Sequence, residues 1–113
     1  VVSDRTTKLD VRKQATVYAS EMERLRERGL FPEVVGFQLD EGNRTQGVRW
    51  NLYPIDKEGH RTSAVYLGRT AREAWWKLNT MAKLVREIRQ ELDRVNLERE
   101  FGELAGHRID RNK

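Results

Sequence analysis

The chain has 113 residues, enough for one small core, but 35% of them are charged and only 37% hydrophobic, so the buried volume must come from few elements. Cysteine is absent, which excludes disulfides, thiolate metal sites and thiol catalysis together. The formal charge is +4. No apolar run approaches the roughly 18 residues of a membrane span, and no signal-peptide pattern opens the chain; the expectation is a cytoplasmic protein with no membrane partner.

Residues 1–9 read as a flexible arm in which Leu9 is the one candidate anchor. Asp10 is placed to cap a first helix, in which Val11, Ala15, Tyr18, Met22 and Leu25 recur at helical steps. Gly29 is its natural stop, and Leu30-Phe31-Pro32 leads the chain away. The period then changes to two. Val35, Phe37 and Leu39 alternate, as do Val48, Trp50 and Leu52, and then Val65 and Leu67. The turn-like stretches EGNRTQG and DKEGH separate these runs, so three antiparallel strands in a meander are the economical reading. Pro54 removes a donor near the end of the second strand, which predicts an edge or a bulge there.

Thr70 with Glu73 three residues on is a capping box that marks the start of a long helix. Ala74, Leu78, Met81, Val85, Ile88, Leu92 and Val95 form one apolar stripe along it. To about Glu100 this helix runs some 45 Å, whereas a sheet of short strands covers only about 20 Å of it. Val85, Ile88, Leu92 and Val95 therefore need another cover. The first helix can supply it within the chain; a two-fold partner's helix is the alternative, so monomer and homodimer both stay open. The intrachain solution is the expectation, because otherwise the first helix has no home. After Gly102 the signal fades, with Leu104 and Ile109 as candidate anchors of a tail and Gly106 breaking the helix. The predicted organisation is a 1–9 arm, a single α+β domain over 10–101 and a 102–113 tail. The domain is an N-terminal helix, a three-stranded antiparallel meander, and a long C-terminal helix packed on one face of the sheet.

Nothing in the sequence has the pattern of a catalytic centre. His60 sits in a tight turn far from His107, and no His pair has metal spacing. Asp40, Glu41, Asp56 and Glu58 lie at strand ends, where carboxylates could hold Mg²⁺, but acids at hairpin turns are normally solvated. Glycine-rich phosphate loops are absent. The expectation is a non-enzymatic protein with no cofactor and no metal.

Two surfaces stand out instead. If Val48, Trp50 and Leu52 face the long helix, then Arg49, Asn51 and Tyr53 face the other way, joined by Gln38 and by Thr62, Ala64 and Tyr66. Arg, Asn, Gln and Tyr read base edges and phosphates in a groove, although they also occur on ordinary solvent-facing strands. Charge supports a polyanionic partner. Residues 57–89 carry eight bases against three acids, a surplus of five, and the rest of the chain sums to −1. The second surface lies on the long helix. At about 100° per residue, Trp76 points roughly 160° from the centre of the apolar stripe, among Arg72, Asn79, Lys83, Arg86 and Gln90. An outward indole beside cations has the chemistry of a protein-interface hot spot. Trp75, at the edge of the stripe, is the indole expected to pack inside.

The run AVYLGRTAREAWWKL resembles the last strand and helix start of three-strands-plus-helix DNA-binding domains of the plant ethylene-response-factor type. Related domains occur in phage integrases and homing endonucleases. Val65-Tyr66-Leu67-Gly68 and Thr70 to Ala74 match that outline, and Gly47 to Trp50, GVRW, is similar to the Arg-rich strands. The resemblance covers residues 47–85; the first helix and the length of the second are additions to it. It implies a sheet docked in the major groove, with Arg49, Asn51 and Tyr66 in contact. The leading expectation is therefore a small basic nucleic-acid-binding regulatory module that acts through the outer sheet face, with a phage or mobile-element protein as the general kind. Its partner is duplex DNA, met by Arg49, Asn51, Tyr53, Arg61, Tyr66 and Arg69 with basic support from Arg72 and Lys83. The alternative is a regulator that docks on a larger protein complex, such as the transcription apparatus, through Arg72, Trp76, Asn79, Lys83 and Arg86.

Overall fold

Thr7, rather than Asp10, opens the first helix, α1 (Lys8–Glu27). Its hydroxyl accepts the Asp10 N–H at 3.2 Å while the Asp10 carboxylate accepts the Thr7 N–H at 2.9 Å. Asp10 is thus the third helical residue of a reciprocal capping box, and the Thr7 backbone N–H holds its carboxyl below the ordinary carboxylate range. The helix ends where Gly29 predicts. Gly29 adopts φ 87°, its N–H reaches the Arg26 carbonyl at 2.9 Å, and the Leu30 N–H reaches Leu25 at 3.2 Å. This pair of bonds is a Schellman stop.

This computed structural model describes residues 5–41 and 49–111, with side chains as far as Gly102. Residues 1–4 of the arm, the turn through Gly47 and Val48, and the tail side chains of Leu104 and Ile109 lie outside the described residues. Within them the meander is present as β1 (Gly36–Asp40), β2 (Trp50–Ile55) and β3 (Val65–Gly68), in the order β1-β2-β3. Leu39 pairs with Leu52 and Gln38 with Tyr53; across the other side of β2, Asn51 pairs with Tyr66 and Leu52 with Val65. β3 is shorter than the alternation suggests. Thr62 and Ala64 precede it, because the Asp56 carboxylate gathers the Glu58 and His60 N–H groups into a turn at 3.0 and 2.8 Å. Thr62 then closes onto the Pro54 carbonyl at 2.8 Å. Pro54 therefore lies where regular pairing with β3 has ended, while the register irregularity falls at Trp50 and Asn51.

α2 (Ala71–Arg111) is a single helix of 41 residues, about 60 Å long. Thr70 caps it by accepting the Glu73 N–H at 3.1 Å, and the Glu73 carboxylate bonds the Arg69 N–H at 2.9 Å. Gly68 makes the turn possible. It has φ 146°, and a Cβ there would lie 2.6 Å from that of Glu73. The expected break at Gly106 does not occur, and the helix passes through Gly102 and Gly106 alike. An interior glycine costs only about 1 kcal/mol relative to alanine.

Both helices lie on one face of the sheet. Val11, Tyr18 and Leu25 of α1 and Ala74, Leu78, Ala82 and Val85 of α2 bury Trp50, Leu52 and Leu67 between them. Tyr18 meets Phe37 edge-on at 5.1 Å, which fixes α1 above β1. The intrachain cover of α2 is real but shorter than expected. Val85 is buried and Leu92 partly so, yet Ile88 and Val95 are 45% and 37% exposed. Ile88 stands at the side of the stripe, about 80° round the helix from Leu78, and Val95 lies beyond the end of α1, which finishes opposite Asp93, where Arg28 binds the carboxylate at 2.7 Å. Among the described residues no helix is long and apolar enough to cross a membrane.

Candidate nucleic-acid interface

The outer face of the sheet follows from strand register. Leu39, Leu52 and Trp50 point to the helices, so Gln38, Asn51, Tyr53 and Tyr66 point away, with Gln38 opposite Tyr53 and Asn51 opposite Tyr66. Arg61, just outside β3, reaches across them. It bridges to Ile55 through its backbone, lays its guanidinium 4.7 Å from the Tyr53 ring centroid, and donates from Nε to Gln38 at 2.9 Å. Stacking on the ring and hydrogen bonding at the edge hold this cation in one place at the centre of the face. Tyr66 is half exposed on the same face. Arg49 and Arg69 are exposed at the ends of β2 and β3. The irregularity at Trp50 and Asn51 breaks strict alternation, so register alone does not assign Arg49 to this face. Thr62 and Ala64 precede β3, so strand register does not assign them to it.

The basic surplus is divided between two surfaces. Arg72 and Lys83, expected to support the sheet face, lie on α2, behind the sheet, on the side of the helix that carries Trp76. Trp76 is 50% exposed. Its ring meets Trp75 edge-on at 5.4 Å, and Trp75 in turn packs against the core. α2 continues straight past Phe101, so the tail does not fold back over the indole.

Asn79 and Arg86, expected at a protein interface, also reach α1. Gln14 donates to Asn79 at 3.3 Å, Glu21 meets Arg86 at 3.6 Å, and Arg28 donates to Asp93 at 2.8 Å. The three pairs share one sequence separation, 65 residues. They form a polar ladder, one rung per heptad, that fixes α1 and α2 parallel and in register, as flanking charges do in a coiled coil. Its middle rung was missed. Glu21 is only 6% exposed and has Arg24, Arg86 and Arg89 each 3.6 Å from its carboxylate. The available signal was the matching heptads Gln14/Glu21/Arg28 and Asn79/Arg86/Asp93.

The strand-end acids are not brought together. Glu41 is held by Arg12 at 2.5 Å, whose hydrogen bond keeps its carboxyl below the usual range. Asp56 is occupied by its own turn at the opposite end of the sheet. Among the described residues no group of three or more His, Asp or Glu is placed to hold a metal ion. Comparison of the chain with protein-family models, with curated proteins and with solved structures finds no match.

Proposed function

We propose that this protein is a non-enzymatic nucleic-acid-binding module that works through the outer face of its sheet. The observation that carries the reading is the assembly of Gln38, Asn51, Tyr53, Arg61 and Tyr66 on one flat polar face, with Arg61 fixed on Tyr53. A guanidinium held in place loses little side-chain freedom on binding, and amide and phenol groups beside it supply donors and acceptors for base edges. Arg49, Arg61 and Arg69 are its phosphate contacts. Three such contacts give a modest slope of log affinity against log salt, about −2 to −3. The resemblance of residues 47–85 to sheet-docking DNA-binding domains points the same way, to duplex DNA met in the major groove.

A titration against random duplex DNA at several salt concentrations tests the proposal. Arg61→Ala and Tyr66→Ala should each weaken binding several-fold or more without lowering the melting temperature, because neither side chain supports the core. Undetectable binding at low salt to both duplex and single strands would refute it.

The half-exposed indole favours a second reading, a regulator that docks on a larger protein complex through the α2 face. Arg72, Trp76, Asn79, Lys83 and Arg86 would form that contact, with Asn79 and Arg86 also meeting α1. There Trp76→Ala would cost about 2 kcal/mol or more of partner affinity, and in the sheet-face reading it would leave DNA binding unchanged.

A further inference from the structure

The middle rung of the helix ladder carries more charge than the pairing of α1 with α2 needs. Arg24 of α1 and Arg86 and Arg89 of α2 each bring a guanidinium nitrogen to 3.6 Å from the Glu21 carboxylate. Three positive charges thus face one negative, a surplus of two, whereas the next rung, Arg28 with Asp93, is balanced. Other acids of the two helices are engaged elsewhere: Glu23 is held by Arg26, and Glu91 and Glu98 by Arg94. Cations gathered on one carboxylate lie less than about 10 Å apart, within a Debye length, so dissolved salt does not screen their repulsion fully.

The carboxylate is poorly served by this surplus. The Glu21 side chain is more than nine-tenths buried, yet among the described residues its Oε2 receives no hydrogen bond. Arg89 Nη2 stops 3.6 Å from it, too far for one. A buried carboxylate oxygen without a donor is costly. Donors are at hand, and the mutual repulsion of three guanidiniums opposes their closing on a single anion.

We propose that Arg24 and Arg86, backed by the charge of Arg89, bind the dianionic phosphate of a small phosphomonoester or of free inorganic phosphate, with Glu21 as the buried support that gathers them. Arg24 and Arg86 are each about half exposed, and guanidiniums take phosphate oxygens two at a time. Arg89 is mostly buried and supplies charge more than contact. Lys83, three residues before Arg86 on α2, is exposed and adds to the field. The surplus of two sets the ligand class. A phosphomonoester above its second pKa, about 6, carries close to two negative charges, whereas a phosphodiester of a nucleic-acid backbone carries one. The site belongs to the helix layer and stands apart from the outer face of the sheet, so it is independent of the nucleic-acid reading.

Thermal melts near pH 7.5, above that second pKa, with phosphate exchanged for chloride at constant ionic strength, test the proposal. Inorganic phosphate at about 10 mM should raise the melting temperature by several degrees, as a ligand of the folded state does. Glycerol 3-phosphate should match it; a gain from inorganic phosphate alone would identify the free ion as the ligand. Dimethyl phosphate, a monoanion, should give little. Arg24→Gln and Arg86→Gln should each remove most of the gain, whereas a general salting-in of the folded state would survive in both. Glu21→Gln carries a sign that a merely structural ion pair would not show: it lowers the melting temperature without phosphate and enlarges the phosphate gain, because the surplus rises. Arginine Nε–H NMR of the wild-type protein, with saturable shifts at Arg24 and Arg86, serves if a variant folds poorly. No gain, an equal gain from dimethyl phosphate or in both arginine variants, or Nε–H shifts spread evenly over all arginines would each overturn it.

Discussion

Leu78 and Ile88 belong to one apolar stripe of α2, and the sequence gives no reason to rank them. The structure separates them sharply. Leu78 is fully buried beneath α1 and the sheet, whereas Ile88, at the side of the stripe, is 45% exposed. Leu78→Ala removes three carbons from the packed cluster to which Trp50, Leu52 and Ala82 also belong. The lost transfer energy and the residual cavity together should cost about 3–4 kcal/mol. For a domain of this size that lowers the melting temperature by roughly 12–20 °C. Ile88→Ala loses only the buried part of its side chain, about 1 kcal/mol. Urea unfolding followed by circular dichroism, at two protein concentrations, measures both. The m-value should be unchanged in each variant. Equal costs for the two substitutions, or a midpoint for wild type that rises with protein concentration, would show that α2 is covered at Ile88 by something other than its own chain.

Removing the charge in Glu21→Gln should cost about 1–3 kcal/mol, because three guanidiniums lose their shared carboxylate, and thermal melts report it. Gly68→Ala should destabilise by about 1–3 kcal/mol, from both its φ of 146° and the collision with Glu73; little change would mean that the α2 cap is laxer than described. The carboxyls of Asp10, Glu41 and Glu91 all lie below their ordinary range, the first through the Thr7 N–H and the others through Arg12 and Arg94. Their stabilisation is therefore complete above their unfolded pKa, near pH 4 to 4.5, and disappears as pH falls through the lowered folded values. Melts from pH 6 down to pH 2.5 should show this loss, and Asp10→Asn should flatten its α1 share.

The order of elements was legible because the apolar period itself switches from helical to alternating at Val35 and back at Thr70. Both helix boundaries that depend on glycine geometry, Gly29 and Gly68, were legible for the same kind of reason: each needs a backbone conformation that other residues avoid. The start of α1 was less so. Thr7 and Asp10 are both good caps, and only their three-residue spacing, read as a box, selects Thr7. Glycine misled at the other end, since Gly102 and Gly106 lower helix propensity without stopping an exposed helix. Of the candidate interface, Asn51, Tyr53 and Tyr66 were placed by simple alternation. Arg61 joins them through a turn that alternation does not describe. The duty of Asn79 and Arg86 was hidden because a polar rung between helices has the same composition as a solvated surface.

The measurement that bears most directly on the outer sheet face is an amide and indole NMR map of the protein titrated with a short DNA duplex at low salt. Binding through the sheet predicts shifts at Gln38, Asn51, Tyr53, Arg61 and Tyr66, with the Trp76 indole N–H unmoved, and reversal on adding salt. Shifts centred on the Trp76 indole, or none anywhere, would contradict it.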